Sequence, residues 1–211
     1  MNTKKIYVIR HGETEYNRTG RVQGGGIDAP LNDLGRKQAM AFYDAYKHIR
    51  FNKIYCSKLQ RTVQSVQGFI DAGVPYEQLA GFNEISWGEK EGQHFHPSSH
   101  QEYRDLLENW RQGNLTYSLK GGEGPQHVMD RQREAIAHVL KQEEEENVIL
   151  SIHGRALRIL LTWLHNYDLK DMEYLFVHQN LTVYKLVYTG SMFRVEDFNN
   201  TEHLIGLNGD R

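Results

Sequence analysis

A regular alternation of short apolar segments with longer amphipathic segments is the feature that most constrains the fold. The short segments favour β-strands, and the longer ones carry apolar residues at helical spacing. Such an alternation indicates an α/β domain with a mostly parallel sheet. The strand-like segments are residues 4–9, 52–57, 147–153, 181–188 and 192–198, and the helix-like segments are residues 31–49, 59–72 and 156–167.

One stretch of the chain departs from this alternation. Residues 81–124 are rich in His, Ser, Gly and Trp, with one helix-like piece near residues 99–112. We interpret this stretch as a helical cap inserted over one end of the sheet. The expected architecture is a single domain over residues 1–211, a three-layer α/β/α sandwich with the cap at 81–124.

The composition excludes several classes of protein. The chain has 211 residues and a net charge of −2, so no overall positive field predicts nucleic acid binding. No segment approaches the length of a membrane span. The single cysteine, Cys56, cannot form an intramolecular disulfide, which favours a cytoplasmic location. We therefore expect a cytoplasmic protein that binds neither nucleic acid nor a membrane.

Cationic and imidazole side chains follow three of the predicted strands. In open α/β sheets, ligands bind beyond the carboxyl ends of the strands, so residues that follow different strands meet there. Helices that begin after these strands add backbone N–H donors. The residues in question are Arg10, His11 and Gly12, then Ser57, Lys58 and Arg61, then His153, Gly154 and Arg155.

This set predicts a pocket for a phosphoryl group. Guanidinium groups match phosphate oxygens with paired hydrogen bonds, and Gly12 and Gly154 let the backbone approach closely. One of the two imidazoles, at His11 or His153, can attack phosphorus if its other ring nitrogen donates a hydrogen to a fixed acceptor. The arginines and the second imidazole would stabilise the charge on the equatorial oxygens. Glu84, from the inserted stretch, would protonate the departing oxygen and then take a proton from water.

Four motifs together resemble the histidine phosphatase superfamily, the phosphoglycerate mutase-like family. They are RHGETEYN (10–17), SKLQRT (57–62), NEISWGEKEG (83–92) and SIHGRALR (151–158). The segments 21–39 and 179–188 extend the resemblance over nearly the whole chain. It implies a phosphoglycerate mutase-like fold and a histidine acid-type phosphatase that needs no metal and no cofactor.

The resemblance also implies roles for individual residues. His11 is then the phosphorylated nucleophile, and Arg10 and Arg61 bind phosphate. His153 supplies the second imidazole, and Glu84 is the proton donor. The expected substrate-binding positions are Asn17, Gln23, Gly24 and Gly154.

We therefore expect a phosphomonoester hydrolase that acts through a phosphohistidine intermediate on a small phosphorylated metabolite. Two alternatives stay open. A cofactor-dependent phosphoglycerate mutase would pass the same phosphoryl group to a second hydroxyl, although this chain is shorter than that subgroup and its NEISWGEKEG motif looks more like the phosphatase branch. A catalytically inactive module would only bind a phospho-ligand, and the intact His-Arg-Glu-His set argues against it. The sequence predicts neither the substrate nor whether the chain is a monomer or a dimer.

Three further features leave questions for the structure. Arg155 stands where the family usually has a small or apolar residue, and it either reaches the substrate or points away. The carboxylates that compete with Glu84 for the role of proton donor are Glu77, Glu89 and Glu91. Three histidines lie close together in the sequence, at His94, His96 and His100. We expect them to be exposed loop residues rather than ligands of a zinc ion.

Overall fold

The computed structural model describes residues 3–94 and 100–207. Its strands are β1 (Lys4–Arg10), β2 (Lys53–Cys56), β3 (Tyr76–Gln78), β4 (Asn147–Ile152), β5 (Val183–Tyr188) and β6 (Phe193–Asn200). Its α-helices are α1 (Glu15–Arg18), α2 (Asp33–Tyr46), α3 (Gln60–Gln64), α4 (Gln67–Asp71), α5 (Gln101–Arg111), α6 (Pro125–Leu140), α7 (Gly154–Leu164) and α8 (Met172–Leu175). Within the described ranges, none of these helices has the length and apolarity that crossing a lipid bilayer requires.

The strands form one mixed sheet with β1 and β4 side by side at its centre. The strand order is β3-β2-β4-β1-β5-β6, with the first four strands parallel to one another. β5 runs antiparallel to β1, and β6 runs antiparallel to β5. The predicted mostly parallel sheet is confirmed. The sequence does not predict β3, because three residues are too few to show an alternating pattern.

The register of β1 and β4 places the two predicted imidazoles next to each other. Arg10 pairs with Ile152 at the carboxyl end of the two strands. The backbone N–H of His11 donates to the carbonyl oxygen of Ile152 at 3.0 Å. His11 and His153 are therefore the next residues on two adjacent parallel strands.

Alternation of side chains along β1 produces a core on each face of the sheet. Ile6 and Val8 point to one face and pack with residues of α6 and α7, including Leu157. Tyr7 and Ile9 point to the other face and pack with residues of α2 and α4. Helices thus cover both faces, and the predicted three-layer α/β/α sandwich is confirmed.

A third apolar cluster connects the inserted stretch to α7. Ile85, Trp87 and Trp110 pack in one cluster with Ala156 and Ile159 of α7. This packing holds the inserted stretch against the first turns of α7, at the end of β4 where the predicted site lies.

The predicted continuous helix over residues 59–72 is wrong, because the structure contains two short helices, α3 and α4, separated at Ser65 and Val66. Ser65 Oγ donates to the carbonyl oxygen of Arg61 at 2.6 Å, the same oxygen that accepts the backbone N–H of Ser65. The hydroxyl also accepts the backbone N–H of Gly12 at 2.8 Å. A serine that bonds back to the preceding turn weakens a helix, and here it ties the break to the loop after β1.

Candidate active site

His11 is buried at the end of β1, and its two ring nitrogens have different surroundings. The residue is 3% exposed. Its Nδ1 lies 2.7 Å from the carbonyl oxygen of Gly12. A carbonyl oxygen only accepts, so Nδ1 carries the hydrogen, and in the neutral ring Nε2 holds the lone pair. Among the residues that the structure describes, the partner of this ring is the carbonyl oxygen of Gly12, at Nδ1.

The surroundings of His11 favour its neutral form. Burial lowers the pKa of His11 well below its ordinary value, and the charges of Arg61 and Arg10 lower it further. The ring of His153 lies nearby, with the two ring centroids 5.1 Å apart. The arrangement is that of a neutral imidazole whose lone pair is available to attack phosphorus.

The backbone around His11 is fixed by the loop that precedes β5. Asn180 Nδ2 donates to the carbonyl oxygen of His11 at 3.0 Å and to Asn17 Oδ1 at 3.2 Å. The backbone N–H of Leu181 donates to the carbonyl oxygen of Arg10 at 3.0 Å. These bonds hold the backbone of Arg10 and His11 from a part of the chain that is distant in sequence.

Gly12 allows α2 to approach this backbone closely. A Cβ on Gly12 would lie 2.7 Å from the carbonyl oxygen of Gly35. A Cβ on Gly35, in the first turn of α2, would in turn lie 2.1 Å from the carbonyl oxygen of Glu13. Both separations are too short for any residue with a side chain, so the pair of glycines permits direct contact between α2 and the loop after β1.

His153 and Arg61 form one buried unit, and each is 0% exposed. Arg61 Nε donates to His153 Nδ1 at 3.1 Å, and His153 Nε2 lies 2.8 Å from Ser57 Oγ. Because Nδ1 accepts, the neutral ring carries its hydrogen on Nε2 and donates it to Ser57. Arg61 Nη1 and Nη2 donate to the carbonyl oxygens of Ile27 and Gly24. In this conformation His153 orients Arg61, and its contact with a phosphoryl group stays a prediction.

Arg10 is held by His178, a residue that the sequence analysis does not single out. Arg10 Nη1 lies 3.3 Å from His178 Nδ1, which accepts the hydrogen bond. Burial, together with the charge of Arg10, lowers the pKa of His178 to about 2, so this imidazole is neutral. A Cβ on Gly154 would lie 3.0 Å from His178 Cε1. Gly154 therefore leaves room for the imidazole of His178, which positions Arg10. The sequence analysis gave another reason for this glycine, a close approach of the backbone to phosphate.

Glu84 caps the N-terminus of α7. The residue is buried, and its Oε1 accepts the backbone N–H of Ile85 at 3.0 Å and of Ala156 at 2.8 Å. Its Oε2 accepts the backbone N–H of Arg155 at 3.1 Å. An acidic side chain at a helix N-terminus is favoured by the helix dipole. Oε2, with one N–H partner, keeps a lone pair on which a proton can be carried.

The charges of this site act on one another. Burial lowers the pKa of Arg10, and it lowers the pKa of Arg61 to about 10, while the charge of Glu84 opposes both shifts. Arg61 therefore remains charged at neutral pH. The structure thus brings together Arg10, Arg61 and Glu84 with the neutral imidazoles of His11 and His153.

The three competing glutamates are engaged elsewhere. Glu91 Oε1 accepts the backbone N–H groups of Trp87 and Gly26, so it secures the glycine-rich loop. The ion pairs of the other two are Lys53–Glu77 and Lys120–Glu89. Glu84 is the glutamate among the four candidates whose carboxylate bonds to the first turn of α7.

Asn17 and Gln23 converge on Thr14, three residues after His11. Asn17 Oδ1 accepts the backbone N–H of Thr14 at 3.2 Å, and Thr14 Oγ1 donates to Gln23 Oε1 at 2.7 Å. Gln23 Nε2 is buried with no partner among the described residues. A Cβ on Gly24 would lie 2.8 Å from Trp87 Cδ1, so glycine is needed where this loop meets the inserted stretch. The contact of these residues with substrate stays a prediction.

Among the residues that the structure describes, nothing supports a metal site at the loop histidines. His96 lies outside the described residues. Over residues 3–94 and 100–207, no group of three or more His, Cys, Asp or Glu side chains is placed to hold a metal ion. His100 is the residue that precedes α5.

Arg155 turns toward the inserted stretch. Its guanidinium forms an ion pair with Glu173 and lies over the rings of Trp87 and Trp110, at 5.7 and 5.5 Å from the ring centroids. Arg155 Nη2 donates to the hydroxyl of Tyr103 at 3.3 Å.

Sequence reasoning missed Glu173 and His178. The segment 179–188 indicated only that this part of the chain belongs to the family pattern.

Comparisons with known proteins place the chain in a family. A sequence model of the histidine phosphatase superfamily (branch 1) matches residues 6–201. A 6-phosphofructo-2-kinase/fructose-2,6-bisphosphatase of Gallus gallus is 30% identical over 181 residues, which are 83% of this chain and 36% of that protein. The chain therefore spans about a third of the length of that relative.

Solved structures share the fold. The α-ribazole phosphatase of Shigella flexneri superposes with a TM-score of 0.80 at 23% identity, covering 93% of this chain and 96% of that one. A phosphoserine phosphatase of Entamoeba histolytica superposes with a TM-score of 0.82 at 24% identity, covering 95% of this chain and 99% of that one. At these identities the likeness shows the fold alone.

The lowered pKa of His11 predicts an unusual titration. Because burial and two guanidinium groups disfavour the imidazolium, His11 should take up a proton only at a pH well below 6.5. An NMR titration of the histidine ring signals, with the His11 signal assigned by its loss in His11→Asn, should show no step for His11 near pH 6.5. A titration midpoint near that value would contradict the electrostatic description.

The bond between His178 and Arg10 predicts a difference between two substitutions. His178→Leu removes the acceptor, so inorganic phosphate should inhibit about tenfold more weakly. His178→Gln supplies a side-chain oxygen as acceptor and should keep the inhibition constant within about threefold of the wild type. Equal inhibition constants in wild type and the Leu variant, or equal weakening in both variants, would show that the bond does not position Arg10.

Proposed function

The chain belongs to the histidine phosphatase superfamily, and on that premise we propose that it hydrolyses phosphomonoesters of small metabolites through a phosphohistidine formed on His11. Membership of the family indicates a phosphatase or mutase activity. The hydrolytic reaction, the intermediate and the roles of single residues are the proposal.

The observation that carries the proposal is the hydrogen bond between His11 Nδ1 and the carbonyl oxygen of Gly12. It places the hydrogen on Nδ1 and the lone pair on Nε2. The lowered pKa of His11 adds that the ring is neutral without the help of a separate base, so this lone pair carries no proton. Nε2 is therefore the nucleophilic atom.

The first step transfers the phosphoryl group to the enzyme. The lone pair of His11 Nε2 forms a bond to phosphorus, and the bond between phosphorus and the ester oxygen breaks. Glu84 donates its proton to the departing oxygen, so the alcohol leaves neutral. Arg10 and Arg61 stabilise the charge that spreads over the equatorial oxygens in the transition state.

The second step releases phosphate. Glu84, now a carboxylate, takes a proton from water while the water oxygen attacks phosphorus. The bond from phosphorus to His11 Nε2 breaks, and the pair of electrons returns to the ring. His11 is again neutral, Glu84 is again protonated, and inorganic phosphate leaves.

The proposal requires neither a metal nor a cofactor. Arg10 and Arg61 supply positive charge, and neutral acceptors on His178 and His153 orient them. We include in the proposal that residues 81–124 act as a cap in the single domain of residues 1–211, covering the side on which the alcohol leaves.

The proposal predicts chelator-insensitive release of p-nitrophenol from p-nitrophenyl phosphate at mildly acidic pH. His11→Ala removes the nucleophile and should lower kcat by at least about 10³-fold. The exposed His48→Ala serves as the matched control and should keep wild-type activity. A folded His11→Ala protein with wild-type turnover would contradict the proposal. Interconversion of 2- and 3-phosphoglycerate that depends on 2,3-bisphosphoglycerate and outpaces hydrolysis would identify a mutase instead.

The role of Glu84 predicts a dependence on the leaving group. Glu84→Gln should lower kcat/KM for glycerol 3-phosphate by about 10²-fold or more, because an alkoxide needs a proton to leave. The loss for p-nitrophenyl phosphate should be much smaller, since the phenolate is a good leaving group. Glu89→Gln, which removes a surface carboxylate paired with Lys120, should change neither value. Equal losses for both esters in the Gln variant would assign the proton donor to another residue.

A further inference from the structure

The segment that carries Glu84 has no regular secondary structure to fix its direction. Glu84 lies between two short 3₁₀ helices, Ala80–Phe82 and Gly88–Lys90, and belongs to neither. Because each peptide unit is planar, the two units that flank a Cα set the direction in which its side chain leaves the backbone. A proton donor has to reach the departing oxygen, so these two units must be held by groups from elsewhere in the chain.

Arg131, on α6, holds both peptide units that flank Glu84. Its Nη1 donates to the carbonyl oxygen of Asn83 at 2.8 Å, and its Nη2 donates to the carbonyl oxygen of Glu84 at 3.1 Å. Nη1 also donates to the carbonyl oxygen of Gly81 at 2.8 Å. One planar guanidinium therefore fixes the backbone on either side of the Glu84 Cα.

Glu123 fixes the plane of that guanidinium. Arg131 Nε donates to Glu123 Oε1 at 3.0 Å, and Arg131 Nη2 donates to Glu123 Oε2 at 3.1 Å. Glu123 Oε2 also accepts the backbone N–H of Ser86 at 2.9 Å, and the backbone N–H of Glu123 donates to the carbonyl oxygen of Ser86 at 2.9 Å. A Cβ on Gly122 would lie 2.7 Å from that same oxygen, so glycine permits the close contact. Together the two charged residues hold the chain before and after Glu84.

Hydrogen bonds account for every N–H of the Arg131 guanidinium. The group has five N–H donors, and its five bonds go to three backbone carbonyl oxygens and two carboxylate oxygens. Arg10, by contrast, keeps a buried Nε without a partner among the described residues. In this conformation Arg131 has no donor to offer a phosphate oxygen, so it can act on the reaction only through another residue.

The carboxylate end of Glu84 is held separately, by α7. It accepts the backbone N–H groups of Arg155 and Ala156. The side chain is therefore fixed at two points, at its carboxylate by α7 and at its backbone by Arg131. Loss of the second point lets the segment shift, and a displacement of about 1 Å at a reacting group can lower a rate by about 10²-fold.

We propose, resting on the proposed function, that Arg131 is a positioning residue that directs Glu84 toward the departing oxygen, and that Glu123 holds Arg131 for this task. The effect of Arg131 on the reaction then passes through the proton that Glu84 carries. It is large where the departing oxygen needs that proton and small where the leaving group is stable as an anion. A residue that served only the stability of the fold would affect both kinds of ester alike.

A matched pair of esters tests this proposal. Phenyl phosphate and p-nitrophenyl phosphate differ by one nitro group, and phenolate is the poorer leaving group. Arg131→Gln should lower kcat/KM for phenyl phosphate by about tenfold or more, and kcat/KM for p-nitrophenyl phosphate by less than about threefold. Arg133→Gln is the matched control, because Arg133 is an exposed residue of the same helix, and it should leave both values at those of wild type.

A double variant separates an effect through Glu84 from an independent one. Glu84→Gln alone should lower kcat/KM selectively for phenyl phosphate. Adding Arg131→Gln to Glu84→Gln should change that value by less than about twofold, because the proton donor that Arg131 directs is already gone. Two residues that act independently would instead give losses that multiply.

Circular dichroism establishes which variants fold. In a folded Arg131→Gln protein, equal losses for the two esters, no loss, or losses that multiply with those of Glu84→Gln overturn the proposal. If Arg131→Gln does not fold, Glu123→Gln decides: a selective loss for phenyl phosphate supports the proposal, and its absence overturns it.

Failure of the proposed function gives a different result. Absence of wild-type hydrolysis of both esters refutes the proposed function itself. Equal losses for both esters in Glu84→Gln refute the proton donor on which the role of Arg131 rests. A selective loss in Glu84→Gln without one in Arg131→Gln overturns the role of Arg131 alone.

Discussion

The hydrogen bond from His11 Nδ1 to the carbonyl oxygen of Gly12 is the interaction on which the proposed chemistry of the site depends. Without it the hydrogen of the neutral ring could reside on either nitrogen, and the lone pair would face phosphorus only part of the time. The acceptor is itself fixed, because the N–H of Gly12 bonds to Ser65 and the carbonyl of His11 accepts from Asn180. The parallel register of β1 and β4 then brings His153 alongside.

A second feature of the site is the way in which its buried positive charges are held. A phosphoryl pocket needs positive charge in a buried place, and burial of unpaired cations is costly. Carboxylate partners would lower that cost but would also neutralise the cations that the phosphoryl group requires. Neutral imidazoles at His153 and His178 orient Arg61 and Arg10 without removing their charge.

Most of the architecture could be predicted because it depends on local patterns. Apolar strands that are followed directly by His11 and by His153 indicate both the sheet and the edge at which the side chains meet. The break at Ser65 could not be predicted, since it depends on a hydrogen bond to Gly12 from another part of the chain. His178 and Glu173 lie in segments without a strong periodic pattern, and their partners are set by how α7 and α8 pack. The placement of Glu84 at the N-terminus of α7 likewise depends on the docking of the inserted stretch.

The central claim is that His11 Nε2 is the atom that accepts the phosphoryl group. Its most direct test is to quench the enzyme in alkali during turnover of p-nitrophenyl phosphate and to identify the modified atom by peptide mapping and ³¹P NMR. The account predicts acid-labile phosphate on residue 11, with phosphorus bonded to Nε2. Phosphate on Nδ1 of that ring, on His153, or on an acid-stable residue would contradict it.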